Sequence, residues 1–290
     1  MALRFLHASD IHLLDLRGVA LWRYFNKRLT GALNLLLRRR NAHDARLFDA
    51  MMAKCEPLGV ERVVLTGDLT NLSLEPEFAL VRRKLEALPV PATVIPGNHD
   101  AYTTSSARLR RFEQYLDPFM DGERIDDAPY PFVQRFDGVA LIGVSTAIAT
   151  LPLFATGRVG ADQLARLREI LRATRAEERA RVVLIHHPPV PGVSKPRHDL
   201  LDIDAFGAVL REEGADLVLH GHEHHRIESS LPGPDGPIPV HGIGSGTVVK
   251  QEPGKRASFS VYDASFAMIR REVYEWNGSE FVPAPLGASA

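Results

Sequence analysis

The sequence predicts an α/β fold in which parallel strands alternate with helices. Short β-branched apolar runs alternate with segments of helical pattern: the runs are residues 3–8, 62–65 and 92–95, and the helices are 45–54 and 77–88. Strand–helix–strand repetition with connections of this length is typical of parallel β-α-β units. A hairpin signal at Asp137-Gly138, flanked by two strand patterns, indicates a second sheet.

The remaining segments continue this pattern to the end of the chain. Helices are expected at 109–119, 160–175 and 200–213, strands at 181–185 and 215–219, and β-structure over most of 238–282. The chain has no repeat of fixed period, and no linker is long enough to mark a domain boundary. We therefore expect one domain over residues 1–290.

Composition sets limits on the class of protein. The 290 residues are 45% hydrophobic with a formal net charge of −1, so nothing global draws the chain to nucleic acid or membrane. One cysteine, Cys55, excludes an internal disulfide framework and fits a reducing compartment. No apolar run reaches membrane-spanning length, and no signal-peptide region precedes the first strand. A cytoplasmic location is expected.

Residues 16–43 differ in character and predict a basic amphipathic helical insertion. The apolar members recur at three- and four-residue spacing and form one stripe: Trp22, Phe25, Leu29, Leu33 and Leu36. The basic members are Arg23, Lys27, Arg28, Arg38, Arg39 and Arg40. Because the segment leaves directly from Asp10 and His12, it starts beside the predicted site and could form a cap over it.

Two hypotheses remain open for this insertion. Its stripe could pack on the protein's own body while its arginines are solvated. Alternatively, residues 22–40 could contact lipid and place the protein peripherally on the inner membrane surface. The near-neutral net charge argues against nucleic acid as a partner.

Five apolar runs end in side chains that commonly bind metals. These residues are Asp10 and His12, Asp68, Asn98 and His99, His186, and His222 and His224. Strand ends on one side of a parallel sheet are neighbours even when they are distant in sequence. Five such placements are hard to explain as ordinary core polar groups, so the sequence predicts one shared site.

The donor types predict which ions would bind. Two carboxylates, one amide oxygen and four imidazoles suit two divalent transition ions such as Mn, Fe, Co or Zn. Asp68, alone on its strand end, is the natural shared ligand. Two ions about 3.5–4 Å apart activate water and clamp phosphoryl oxygens, which favours attack of a bridging hydroxide on a phosphate ester. His99 could handle a proton, with Asp100 orienting it.

In its ordered motifs, the chain resembles the calcineurin-like metallophosphoesterase superfamily. The motifs are Asp10-x-His12, Gly67-Asp68, Gly97-Asn98-His99-Asp100, His186 in His-His-Pro-Pro, and Gly221-His222-x-His224. The resemblance implies a four-layer α/β/β/α sandwich with a dinuclear centre. One ion would take Asp10, His12, Asp68 and His224, and the other Asp68, Asn98, His186 and His222. His99 would stabilise the transition state or protonate the leaving group, with Asp100 orienting it.

The form of the motifs is most similar to the bacterial phosphodiesterase branch. That branch implies a small phosphodiester or nucleotide substrate, such as a cyclic nucleotide or a glycerophosphodiester. The 16–43 insertion departs from its smaller members, so the alternative is a hydrolase of a lipid-linked pyrophosphate such as UDP-2,3-diacylglucosamine. In the best-known such enzymes Arg replaces the histidine that is His99 here.

An alternative from a different class of function is a catalytically silent binding scaffold. The complete set of predicted metal ligands argues against this hypothesis. Among the remaining histidines, His187, His220 and His225 flank ligands and could orient them or contact phosphate, whereas His7, His43, His198 and His241 are expected to be ordinary polar residues.

Overall fold

Two mixed six-stranded sheets form the centre of the molecule in the computed structural model, which describes residues 2–25, 27–29, 42–252 and 254–286. The first sheet has the order β12-β11-β10-β1-β2-β3. Its strands are β1 (Leu3–Ala8), β2 (Arg62–Leu65), β3 (Ala92–Val94), β10 (Ser258–Ser265), β11 (Met268–Trp276) and β12 (Phe281–Ala284). Strands β1, β2 and β3 are parallel, and the other pairs are antiparallel.

The second sheet has the order β4-β5-β6-β7-β9-β8. Its strands are β4 (Phe132–Arg135), β5 (Val139–Gly143), β6 (Ala180–Leu184), β7 (Leu217–His220), β8 (Ile227–Gly233) and β9 (Gly236–Gly242). The run β5-β6-β7-β9 is parallel, and antiparallel strands close both edges. Each sheet therefore contributes carboxyl ends of parallel strands.

Six complete α-helices are described. They are α1 (Ala45–Met52), α2 (Glu75–Glu86), α3 (Thr104–Arg108), α4 (Arg111–Leu116), α5 (Ala161–Thr174) and α6 (Ile203–Glu213). Two 3-10 helices, Leu21–Tyr24 and Asp117–Phe119, are also described, and residues 27–29 are helical. No helix of the described ranges combines the length and apolar character needed to cross a bilayer.

Alternating side chains of the second sheet separate the two larger clusters of the core. Leu141 and Val182 join the cluster that also contains Phe5 and Val63 of the first sheet. The neighbouring residue Ile142 points the other way and packs in the cluster that contains residues of α5 and α6. Because successive side chains of a strand face opposite sides, the buried strands β5, β6 and β7 each contribute to both clusters.

This architecture confirms the predicted α/β sandwich of two sheets flanked by helices, including the hairpin between β4 and β5. Two element predictions were wrong. The single helix expected at 109–119 is divided into α4 and the 3-10 turn that follows it, and Leu109 instead caps α3. The final β-structure starts earlier than residue 238, because β8 already begins at Ile227.

In the described part of the insertion, apolar side chains face solvent and a basic side chain is buried. This is the reverse of what is expected if the apolar stripe packs on the rest of the protein. Trp22 and Phe25 are 68% and 79% exposed, whereas Arg28 is 1% exposed. Arg28 donates hydrogen bonds to the carbonyl oxygens of Leu72 at 2.7 Å and Ser73 at 2.9 Å. These backbone acceptors explain why the arginine lies inside and the aromatic side chains outside. The stripe members Leu33 and Leu36, and Arg38 to Arg40, lie outside the described residues.

Candidate metal centre

The predicted ligands follow strand ends of both sheets, and most of them have an unusual backbone conformation. Positive φ angles occur at Asp10 (54°), His12 (49°), Asp68 (53°), His222 (74°) and His224 (56°). This left-handed region is sparsely populated by residues with a side chain, and such strain concentrates at functional sites. The fold therefore holds five of the seven predicted ligands in conformations that aim them at one place.

One group of donors surrounds His12. Its Nε2 lies 3.3 Å from His224 Nε2 and 3.9 Å from Asp68 Oδ2. Asp10 Oδ1 lies 3.2 Å from the same nitrogen of His224. This carboxylate oxygen is buried and has no hydrogen-bond partner among the described residues. Because an unsatisfied buried carboxylate oxygen is costly, a cation fits this arrangement of lone pairs.

A second group of donors surrounds His186. Its Nε2 lies 3.2 Å from Asn98 Oδ1 and 3.5 Å from Asp68 Oδ1. Its other nitrogen, Nδ1, donates to the carbonyl oxygen of Thr66 at 2.7 Å. A carbonyl oxygen can only accept, so Nδ1 carries a hydrogen and Nε2 is the nitrogen that can bind a metal.

His222 lies beside this second group rather than within it. Its ring centre is 5.2 Å from that of His186, and its Nε2 is 3.0 Å from the carbonyl oxygen of His198. Its backbone N–H donates to Asp10 Oδ2 at 2.9 Å. With Nε2 facing a carbonyl oxygen, coordination by His222 would use Nδ1.

Asp68 lies between the two groups and faces one with each carboxylate oxygen. Burial alone would raise the pKa of Asp68, but the imidazoles of His186 and His99 lower it well below its usual range. Burial would likewise lower the pKa of His186, and the carboxylates of Asp68 and Asp10 raise it to about 9. The lowered pKa keeps Asp68 ionised, and the raised pKa of His186 shows that these carboxylates stabilise positive charge, as a cation site requires.

His99 is oriented by a different partner from the one predicted. Its Nδ1 donates to the carbonyl oxygen of Asn71 at 2.6 Å. The Asp100 carboxylate instead accepts hydrogen bonds from the backbone N–H groups of Leu69, Thr70 and Gly97. Asp100 therefore holds two ligand-bearing loops together, and the role of orienting the imidazole falls to Asn71.

Besides Asn71, the sequence prediction missed a histidine at this site. His43, expected to be an ordinary polar residue, has its ring centre 4.6 Å from that of His12 and 5.9 Å from that of His224. The available signal was topological: a segment that leaves beside Asp10 and His12 is followed directly by His43 and a helix. Its return to the same edge could have been anticipated.

Comparison with known proteins identifies the family. The model of the calcineurin-like phosphoesterases matches residues 3–226 of the chain. The chain belongs to the calcineurin-like phosphoesterase family. This assignment confirms the family resemblance drawn from the five motifs.

Two relatives and one solved structure show how this calcineurin-like phosphoesterase compares with other proteins. A cAMP/cGMP dual specificity phosphodiesterase of Mycobacterium tuberculosis is 30% identical over 254 residues, covering 85% of this chain and 68% of that protein. A probable glycerophosphodiester phosphodiesterase of Arcobacter nitrofigilis is 30% identical over 182 residues, covering 58% of each. A dimetal phosphatase structure from Danio rerio shares the fold, with a TM-score of 0.64 at 15% identity, covering 97% of this chain and 98% of that one.

Family membership and the site together establish the general activity. Calcineurin-like phosphoesterases use a dinuclear metal centre, and three groups of His and Asp donors in the described residues could hold metal. The chain is a metal-dependent phosphoric ester hydrolase.

Gly97→Ala is expected to disrupt the centre through sterics alone. A Cβ at position 97 would collide with the carboxylate and backbone nitrogen of Asp68 and lie 2.8 Å from His186 Cε1. We expect a loss of about 1–3 kcal/mol in unfolding free energy, together with weaker metal binding, measured by denaturant unfolding and calorimetry. Gly207→Ala in helix α6 is the matched control, because its Cβ meets nothing within 4 Å. It should keep metal binding and gain up to about 1 kcal/mol; equal losses in both variants would contradict the steric argument.

Proposed function

We propose that the protein hydrolyses a small phosphodiester with two divalent transition ions drawn from Mn, Fe, Co and Zn. The observation that carries this proposal is the position of Asp68. Its Oδ2 faces the His12 group at 3.9 Å, and its Oδ1 faces the His186 group at 3.5 Å. A carboxylate can bridge two ions in this way, whereas an imidazole cannot.

The two ions would divide the donors as follows. One would be held by Asp10, His12, Asp68 and His224, and the other by Asp68, Asn98, His186 and His222. The distances support this division: contacts in the first group span 3.2–3.9 Å. In the second, His186 Nε2 lies 3.2 Å from Asn98 Oδ1 and 3.5 Å from Asp68 Oδ1, with the His222 ring adjacent. Two such ions supply Lewis-acid activation of water and neutralise the charge on the phosphoryl oxygens.

The chain's own groups position the ester and manage its proton. Because Nδ1 of His99 donates to the carbonyl oxygen of Asn71, Nε2 is the nitrogen that would hold the reacting proton. A protonated imidazole at that place can give its proton to the departing alkoxide. Tyr102 stacks on His99 with ring centres 5.3 Å apart, and Lys27 Nζ lies 4.6 Å from the tyrosine ring centre. This cation lies over the ring that stacks on the imidazole, and its charge favours an anionic substrate.

Turnover of bis(p-nitrophenyl) phosphate tests the proposal. With Mn²⁺ added, the protein should hydrolyse this diester, and a chelator should abolish the activity until metal is restored. Parallel assays with cyclic nucleotides, glycerophosphodiesters and UDP-2,3-diacylglucosamine would identify the substrate class. Full activity that persists after removal of the metal, verified by elemental analysis, would overturn the proposal. The phosphodiesterases of similar sequence support the first two substrates.

A second candidate is hydrolysis of an acylated nucleotide pyrophosphate at a membrane surface. Trp22 and Phe25 expose most of their surface, and Leu151 and Leu153 are 73% and 77% exposed. Lys27 Nζ joins the two segments by contacting Thr150 Oγ1 at 2.6 Å. We propose that residues 16–43 form a cap within one domain spanning 1–290. This apolar rim would place a cytoplasmic enzyme peripherally on the inner membrane surface.

The double substitution Trp22→Ala with Phe25→Ala separates these candidates. If the rim engages lipid, binding to vesicles of anionic phospholipid or turnover of UDP-2,3-diacylglucosamine should fall, while turnover of bis(p-nitrophenyl) phosphate should not change. Both side chains are exposed, so we expect a change in unfolding free energy within about 0.5 kcal/mol. An equal loss on lipid-linked and soluble substrates would instead assign the segment a structural role.

A further inference from the structure

His43 is held firmly beside the first donor group. Its backbone pairs with Val248 in an isolated antiparallel bridge, and the N–H of Asp44 donates to the carbonyl oxygen of Thr247 at 2.9 Å. Asp44 in turn caps helix α1 by accepting from the backbone of Arg46. The imidazole is therefore positioned by a helix start on one side and a loop contact on the other.

The ring of His43 meets two of the predicted ligands. Ligand atoms of His12, His43 and His224 all lie within 4.8 Å of one another, a spacing that allows one ion to contact all three. The group is one of three such donor groups in the described part of the chain, and the other two contain Asp68. His43 therefore contributes a nitrogen where the first ion would bind.

Hydrogen bonds on the far side of the ring fix which nitrogen of His43 carries the hydrogen. Thr247 Oγ1 donates to the carbonyl oxygen of Ile11 at 2.7 Å, so the same oxygen accepts from His43 Nδ1 at 3.0 Å. Ser245 Oγ likewise donates to the carbonyl oxygen of Asp10 and lies 3.4 Å from that nitrogen. Nδ1 thus carries the hydrogen, and the lone pair of the neutral ring is on Nε2. This is the arrangement found for metal-binding histidines.

We propose that His43 is an additional ligand, through Nε2, of the ion held by Asp10, His12 and His224. The inference rests on the proposed dinuclear centre. With His43 as a ligand, the two metal positions differ. The first has three imidazoles and two carboxylates, and the second has two imidazoles, one amide oxygen and the shared carboxylate. An imidazole-rich position favours Fe, Zn or Co over Mn and should bind its ion more tightly.

Two substitutions test this assignment by calorimetric titration of the metal-free full-length protein with Co²⁺. His43→Ala removes the whole imidazole. His43→Asn keeps an N–H near the position of Nδ1, and so the contact with Thr247, but has no group at Nε2. In both variants we expect the Kd of the tighter site to rise at least about tenfold. Even the loss of a residue that only hydrogen-bonds to a metal ligand typically weakens metal binding by that factor. The weaker site should be unchanged, and the visible absorption of the Co²⁺ protein should shift.

The controls separate this inference from the function on which it depends. His225→Ala removes a neighbouring histidine whose Nδ1 faces the Glu223 carbonyl oxygen, and it should leave both Kd values unchanged. If His43→Asn binds Co²⁺ like the natural protein while His43→Ala does not, His43 acts only through Thr247 and the assignment is overturned. Two sites with unchanged Kd and absorption in both variants overturn it as well, leaving the dinuclear centre intact. A natural protein that fails to bind two ions would overturn the proposed function itself.

Discussion

Asp68→Ala is expected to lower kcat/KM for bis(p-nitrophenyl) phosphate by at least about a thousandfold, because several kcal/mol of transition-state charge stabilisation depend on the two ions. The carboxylate lies within 4 Å of His12 Nε2 and of His186 Nε2, so its loss affects both donor groups. It also accepts the backbone N–H of His99 at 2.7 Å. We therefore expect metal binding and the placement of the imidazole to fail together.

Asp68→Asn provides the matched comparison, because it keeps the shape of the side chain and removes the charge. We expect it to retain the fold, bind fewer than two ions and lose nearly as much activity as the alanine variant. Elemental analysis and steady-state kinetics with excess Mn²⁺ check this. Either variant keeping both ions and more than a tenth of the activity would contradict a bridging role for Asp68.

His99→Ala is expected to lower kcat by about 10²–10⁴-fold on a diester with an alkoxide leaving group. Proton donation matters most when the leaving group is a strong base, so the loss on p-nitrophenyl esters should be much smaller. Its Nδ1 is bonded to Asn71, and the proposed metal ligands do not include it, so both ions should stay bound. Comparing kcat across leaving groups of graded basicity measures this.

A role of His99 as a metal ligand, instead of a proton donor, would give a different outcome. Because His99, His12 and Asp68 form one of the donor groups, a direct metal-binding role would lower the metal content of His99→Ala. Equal losses on good and poor leaving groups, accompanied by loss of an ion, would make His99 a ligand. His99→Gln, which retains a polar side chain but cannot donate a proton as an acid, should behave like the alanine variant.

The strand ends that carry the candidate site were predictable because their signals are local. Each ligand follows an apolar run within a few residues, and Gly67 and Gly97 mark the tight turns that carry Asp68 and Asn98. In an α/β fold this local information implies proximity, since strand ends share an edge. The residues predicted as ligands do lie close together, with His222 beside the second group rather than inside it.

The partners of these residues were less predictable, because they depend on contacts between loops. Asp100 is adjacent to His99 in sequence, yet its carboxylate caps backbone N–H groups of two loops, and Asn71 orients the imidazole. Periodicity also could not decide which face of the insertion packs inward. Arg28 is buried because the carbonyl oxygens of Leu72 and Ser73 accept its hydrogen bonds, and these acceptors belong to a distant turn.

Anomalous diffraction from Mn²⁺-loaded crystals tests the central claim most directly. Two peaks about 3.5–4 Å apart are predicted, with the Asp68 carboxylate between them. The Asp10 and His224 side chains should contact one peak, and those of Asn98 and His186 the other. A single peak, or two peaks that do not share Asp68, would contradict the dinuclear account.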